Sequence, residues 1–383
     1  SELGDMKGAE KLYRKALEAS RAVHGETRET AIAYGGLAVV LRSLGRYDEA
    51  ATMLEKARTI NEALSGADSA DVALGYYNSA INLGDMGLYA DASAAANKAL
   101  DIWRSAKGDD SKEAALGYTA VGNSLMAMGR FAEADTAYRK ALAIRLKSLG
   151  ENHPLTGEVY SNLALNMERQ GRPPSVIEPI MRKALEITRA SLGENSERSV
   201  TMDGNIAHNL NQQGRYAEAE PMYRRAIDIQ ERIAGKNHPI YATLLVNLAY
   251  NLRDDGRSGQ AEPLMREALG IFRVKFGDEN PETAWAYSSL GSTLGELGRH
   301  AEGAGMAIRA LEIRRRLLGE DHPLTAEAYD GVAAALVRTR GLEGAGDKAA
   351  EPYYRQSLAI LRRGVGESDI DTARAYENLA LNL

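Results

Sequence analysis

The 383-residue chain contains no cysteine. That excludes disulfides, thiolate metal sites and cysteine nucleophiles together, and it leaves the redox compartment open, with a cytoplasmic location as the expectation. Only 6% of the residues are aromatic and only 10 are proline. No apolar run approaches the ~18 residues that a membrane-spanning helix needs, so no membrane partner is expected. Charges of one sign are never gathered. The 53 acids and 47 bases leave a net charge of −6 without a long block of either, so sequence-independent nucleic-acid binding has no electrostatic footprint. The sequences Gly-x-x-x-x-Gly-Lys-Ser/Thr, His-Glu-x-x-His and Gly-x-Ser-x-Gly are also missing, so phosphate-loop, zinc-peptidase and serine-hydrolase chemistry lack their usual residues. No catalytic residue, no metal and no cofactor is expected. A hydrophobic fraction of 44% with 26% charge excludes wholesale disorder.

What the chain does have is periodicity. Aligned on Gly45-Arg46-Tyr47-Asp48-Glu49-Ala50, equivalent glycines stand at Gly4, Gly45, Gly87, Gly129, Gly171, Gly214, Gly256, Gly298 and Gly341, spaced 41 to 43 residues apart. A second series runs Gly25, Gly66, Gly108, Gly150, Gly193, Gly235, Gly277, Gly319 and Gly366, with a last step of 47. Two interleaved series imply about nine repeats of 42 residues with two elements each, both about 18 residues long.

Both elements read as helices. In the first, A, apolar or small residues recur at i, i+3, i+4 and i+7, as in Tyr34, Leu37, Ala38 and Leu41. In the second, B, the stripe is Ala134, Tyr138, Ala141 and Leu142. Glycine after each A helix suits a left-handed C-terminal cap. Pro154, Pro239, Pro281 and Pro323 stand where an A helix starts, a position for which proline is preorganised. The residue after the A-helix leucine is Ala or Gly in all nine repeats (Ala38, Ala80, Gly122, Ala164, Ala207, Ala249, Gly291, Ala333, Ala380), as a close helix-helix approach requires. The expected fold is an all-α solenoid of helical hairpins over residues 1–383, opening on a B helix and closing on an A helix. Because the chain begins with Ser1 and stops after an A helix, it reads as a piece of a longer protein.

The motifs resemble tetratricopeptide repeats, specifically the 42-residue class similar to kinesin light chains. The matching text is Tyr160-Ser161-Asn162-Leu163-Ala164, Gly214-Arg215-Tyr216-Ala217-Glu218-Ala219-Glu220-Pro221 and Leu318-Gly319-Glu320-Asp321-His322-Pro323-Leu324-Thr325-Ala326. The resemblance covers essentially the whole chain. It implies a right-handed superhelix with A helices lining a concave groove that binds peptide segments. Some repeats depart from the pattern. Asp203 occupies a slot that is Tyr in seven of nine A helices, residues 171–175 add one residue to a turn, and residues 341–348 lengthen another.

An asparagine series is the leading binding candidate. One A-helix position carries Asn78, Asn162, Asn205, Asn247 and Asn378, and four residues later stand Asn82, Asn166, Asn209, Asn251 and Asn382. The i, i+4 spacing places each pair on one face. Asparagine is a poor helix former, so mid-helix pairs call for a reason. A side-chain amide both donates and accepts and can bond an extended peptide backbone whatever its sequence. The alternative is that these amides bond neighbouring repeats and set their stacking. Squarely on the predicted concave face lie Tyr77, Ile81, Leu116, Asn123, Met126, Leu165, Glu168, Arg169, His208, Asn211, Gln212, Tyr250, Arg253 and Trp285, mostly apolar in the first third and polar in the middle. A partner with an apolar anchor and a polar extended stretch suits that gradient; a flanking segment packing on the apolar part is the alternative. His153, His238 and His322 precede proline in alternate repeats, roughly 20 Å apart, too far to share an ion, and read as turn and cap residues.

The leading function is a non-catalytic module that binds a protein or peptide, either an extended segment or a partner helix, in the groove. The alternative is a regulatory or sensor domain of a larger protein, of the kind the resemblance associates with bacterial peptidase or nucleotide-binding fusions. Self-association through the uncapped ends is a third expectation.

Overall fold

The computed structural model describes residues 2–339, 348–364, 366–367 and 369–383. Among the described residues there are nine A helices: α2 (Arg28–Ser43), α4 (Ala70–Asp85), α6 (Lys112–Ala127), α8 (Pro154–Arg169), α10 (Glu197–Gln212), α12 (Pro239–Asp254), α14 (Pro281–Glu296), α16 (Pro323–Thr339) and α18 (Ile370–Asn382). They alternate with nine B helices: α1 (Glu2–His24), α3 (Tyr47–Ser65), α5 (Tyr89–Lys107), α7 (Phe131–Leu149), α9 (Pro174–Leu192), α11 (Tyr216–Ala234), α13 (Ser258–Phe276), α15 (His300–Leu318) and α17 (Glu351–Gly364). The described residues contain no strand. The two helix types are unequal, typically 16 residues for A and 19 for B, rather than about 18 each. The lengthened turn at 341–347, with Gly341, lies outside the described residues.

The chain divides into two compact units, residues 1–191 and 192–383, described separately below. Consecutive helices pack together from α1 to α8 in the first unit and from α10 to α18 in the second. Successive A helices also touch one another (α4 with α6 and α6 with α8; α10 with α12, α12 with α14, α14 with α16 and α16 with α18), whereas no two successive B helices do so to that extent among the described residues. The A-helix side of each unit is therefore the inner side of its curve.

Local chemistry accounts for the boundaries. Each A helix from α2 to α14 ends in a Schellman motif. After α6, for example, Gly129 N–H donates to Met126 O (3.0 Å) and Arg130 N–H to Leu125 O (2.9 Å), which requires the positive φ of +74° at Gly129. The glycines after B helices adopt a different conformation, as at Gly150 with φ +87° and ψ 170°. Starts of A helices are capped by side chains. Ser69, Ser111 and Ser196 accept backbone N–H bonds, and His153, His238 and His322 do so through Nδ1 at 3.1–3.3 Å. The histidines thus cap their own helices.

The apolar stripes form the core. Leu37, Leu41, Tyr138, Tyr223, Leu248 and Leu252 are fully buried. The small residues mark close approaches: a Cβ on Gly122 would stand 2.6 Å from the Tyr138 ring, and one on Gly291 would stand 2.9 Å from the backbone oxygen of Gly303. Ala380, by contrast, is exposed. The Tyr slot in the A helices has a second duty: Tyr118 donates to Asp109 (2.6 Å) and Tyr376 to Glu367 (2.9 Å), each carboxylate standing just after the turn glycine. The Asp203 side chain is buried in that slot.

Candidate polypeptide-binding surfaces

The two asparagine rows part company. In the second row Asn82, Asn166 and Asn251 are sealed, and each donates Nδ2 to the backbone oxygen of the first residue of the preceding B helix: Tyr47 (3.1 Å), Phe131 (3.0 Å) and Tyr216 (3.2 Å). Asn209 is buried as well, its Oδ1 accepting from Gln213 Nε2 at 2.8 Å. These four amides were expected on the groove; the structure corrects that, because a step of four residues turns the side chain about 40° further round the helix, which carries Asn82, Asn166 and Asn251 against the preceding hairpin. Asn82, Asn166 and Asn251 hold repeats in register, and the alternative reading describes them. The first row stays accessible: Asn78, Asn162 and Asn247 are half-buried and Asn205 is exposed. Asn162 Nδ2 donates to Asn123 Oδ1 (3.2 Å) on the neighbouring A helix, and that oxygen also accepts from Tyr138 OH (2.8 Å).

In unit 1 a cavity of about 380 Å³ opens on the A side. Tyr77 and Ile81 of α4, Tyr89 of α5 and Asn123 of α6 line it, and Arg145 of α7 and Glu158 of α8 complete it. The Tyr77 ring lies 5.7 Å from that of Trp103, which fixes its tilt, and burial raises the Tyr77 pKa. Arg145 is only 2% exposed. Its guanidinium donates to Leu155 O and, at 3.4 Å, to Thr119 Oγ1, and it lies 3.6 Å from Glu158. Desolvation lowers its pKa against the opposing pull of Glu158. Sequence reading missed Arg145 and Glu158. The available signal was that Arg145 continues the B-helix stripe of Ala134, Tyr138 and Ala141, a line otherwise apolar.

In unit 2 the accessible A-side residues gather on three successive helices. From α10 come His208 and Gln212, joined at 3.1 Å, and Asn211, which donates to Asp254 (2.9 Å). From α12 come Tyr250 and Arg253, the guanidinium standing 4.7 Å over the Tyr250 ring. Arg253 is held by Asp254 (3.0 Å) and Glu296 (3.5 Å). From α14 comes Trp285, with ring centroids 6.2 Å from Tyr250 and 6.4 Å from the buried Phe272. Tyr250 OH also shares a hydrogen bond with Ser289. These partners lock large planar side chains that nonetheless remain open to solvent. Unit 1 thus holds Tyr77, and unit 2 brings together His208, Tyr250, Arg253 and Trp285.

No group of three or more His, Asp or Glu side chains is placed to hold a metal among the described residues, and no described helix is long and apolar enough to cross a membrane. Asp109 and Asp110, adjacent carboxylates in a turn, do not cap α6. Ser111 does, while the acids pair with Arg104 (2.8 Å) and Lys147 (2.7 Å).

The geometry defines a class: an array of helical hairpins in which one helix of each pair presents the accessible side chains. The profile of the tetratricopeptide repeat matches residues 1–63, 113–190, 198–273, 242–304 and 282–345. The chain belongs to the tetratricopeptide-repeat family. A comparison with curated proteins gives no match. Among solved structures, the chain is similar to BtubC (BKLC) from P. vanneervenii, with TM-score 0.50 and 23% identity over 59% of this chain and 91% of that one. It is also similar to RapI in its apo form, with TM-score 0.57 and 15% identity over 75% of this chain and 98% of that one. At these identities the likeness is one of fold.

Proposed function

We propose that the chain is a non-catalytic protein-interaction module and that the A side of unit 2 binds an extended segment of a partner polypeptide. One observation carries this reading: His208, Gln212, Tyr250, Arg253 and Trp285 are accessible on three successive A helices and are held in place by internal hydrogen bonds, ring contacts and ion pairs. Preorganised aromatic and arginine side chains lose little entropy on binding and are the usual energetic centres of interfaces. The accessible amides of Asn205 and Asn247 lie on two of these helices and supply donors and acceptors for a peptide backbone without regard to its side chains. Neighbouring charges set the preference: Arg253 is outnumbered by Asp254 and Glu296, which favours a ligand with a basic residue there.

The test is a selection of displayed random peptides on the full chain, followed by fluorescence titration against wild type and Tyr250→Ala/Trp285→Ala. Peptides that lose tenfold or more in affinity are expected. If none of the selected peptides responds, with circular dichroism unchanged, the proposed site is wrong.

A further inference from the structure

The Tyr77 cavity of unit 1 contains an ion pair that is not closed. Arg145 is 2% exposed, and its Nη1 stands 3.6 Å from Glu158 Oε2, beyond hydrogen-bond distance. A guanidinium carries five N–H donors, and the bonds to Leu155 O and Thr119 Oγ1 leave donors over. The same motif recurs four repeats later, where Arg314 donates to Leu324 O (2.9 Å) and to Glu327 (3.3 Å). Holding the first turn of the following A helix is therefore a duty that the two arginines share. The walls around them are not shared. Tyr77 and Tyr89, the aromatic walls of the cavity, correspond in the repeat register to Val246 and Ser258, and Val246 is fully buried.

At about 380 Å³ the cavity falls in the size range of small-molecule sites, about 300–1,000 Å³. Its charges select the ligand. A simple anion on Arg145 would lie against Glu158, and a simple cation on Glu158 would lie against Arg145. The other carboxylate of the lining, Asp85, faces Arg42 at 3.5 Å. A ligand that carries both signs side by side gains from both. In a free α-amino acid the ammonium nitrogen and a carboxylate oxygen stand about 2.7–3.6 Å apart, by standard bond lengths and angles. That spacing matches the 3.6 Å between Arg145 and Glu158. With its carboxylate on Arg145 and its ammonium on Glu158, the ligand completes a ring of four charges alternating in sign. It also compensates the desolvation of an arginine whose own counter-ion stands off. A residue inside a peptide has neither charge, and a peptide terminus has only one. The rest of the ligand meets Tyr77, Ile81 and Tyr89. The Tyr77 ring is braced on Trp103 at 5.7 Å, which suits an apolar or aromatic side chain.

We infer that the unit 1 cavity binds a free α-amino acid with a large apolar or aromatic side chain, its carboxylate held by Arg145 and its ammonium by Glu158. This ligand is a small molecule, and its site is independent of the polypeptide site in unit 2. Isothermal titration calorimetry on the full chain compares L-phenylalanine and L-leucine with glycine, N-acetyl-L-phenylalanine and L-phenylalaninamide. Saturable binding is expected for at least one of the first two, and each of the other three should bind tenfold or more weakly. Glu158→Gln removes the partner of the ammonium at a side chain that is 40% exposed. It should lose tenfold or more in affinity with circular dichroism unchanged. Glu327→Gln, at the equivalent pair in unit 2, should bind as wild type does. The inference is overturned if neither amino acid binds saturably, or if glycine, the acetyl form or the amide binds equally well. It is overturned too if Glu158→Gln binds as wild type does, or if Glu327→Gln weakens binding as much. None of these results bears on peptides that respond to Tyr250→Ala/Trp285→Ala, so the two readings fail separately.

Discussion

Gly129 and Gly150 bracket the same helix, α7, and offer a test of backbone energetics free of side-chain clashes, because an added Cβ would meet nothing within 4 Å at either position. Gly129 has φ +74° inside a Schellman motif, a left-handed conformation that costs an alanine roughly 1–2 kcal/mol but that asparagine visits readily. Gly150, at φ +87° and ψ 170°, lies in a region essentially closed to any side chain, with a cost of about 1–3 kcal/mol. Each substitution also recovers about 0.4–1 kcal/mol by reducing the freedom of the unfolded chain. Net losses of roughly 1 kcal/mol for Gly129→Ala and up to about 2 for Gly150→Ala follow from these figures. The decisive quantity is the difference between Asn and Ala at each site: asparagine recovers part of the loss at Gly129 and none at Gly150. Urea unfolding followed by circular dichroism, with hydrogen exchange over α6 and α7, measures it. Equal rescue by asparagine at both positions, or a neutral Gly150→Ala, would refute the conformational argument.

The two asparagine rows should separate in the same assay. Asn251→Ala leaves the Tyr216 oxygen with one partner fewer in a sealed site and is expected to cost about 1–3 kcal/mol, whereas Asn247→Ala, half-exposed, should stay within about 0.5 kcal/mol; equal effects would contradict the register role. Asp330, on α16, supplies a pH test. Burial pushes its pKa up to about 6, above the ordinary value near 3.9, so the folded state takes up its proton first. Wild-type stability should therefore rise, relative to Asp330→Asn, as the pH falls from about 7 toward 4, and the variant should be the more stable at pH 7. Parallel stability curves would show that Asp330 is not buried as described.

The repeat period, the order of A and B helices and their glycine and histidine boundaries were legible from spacing alone. Each of these depends on contacts within one turn or one hairpin, which recur every 42 residues in the sequence as they do in space. The unequal helix lengths and the fate of the asparagines were not legible in that way. Asn162 and Asn166 share one face at i, i+4, yet one remains half-exposed against Asn123 and the other is sealed on Phe131 O. Which side of a polar stripe faces the neighbouring hairpin is set by the packing angle between repeats, which a single helix does not encode. Arg145 shows the same limit. Its place on an apolar stripe is visible in the sequence, but its lodging in the wall of a cavity beside Glu158 follows from two helices meeting. Periodic local chemistry thus determined the hairpins and their family, while the choice between amides that bind repeats together and side chains left open to a partner belonged to the tertiary structure, because it depends on how rigid hairpins stack.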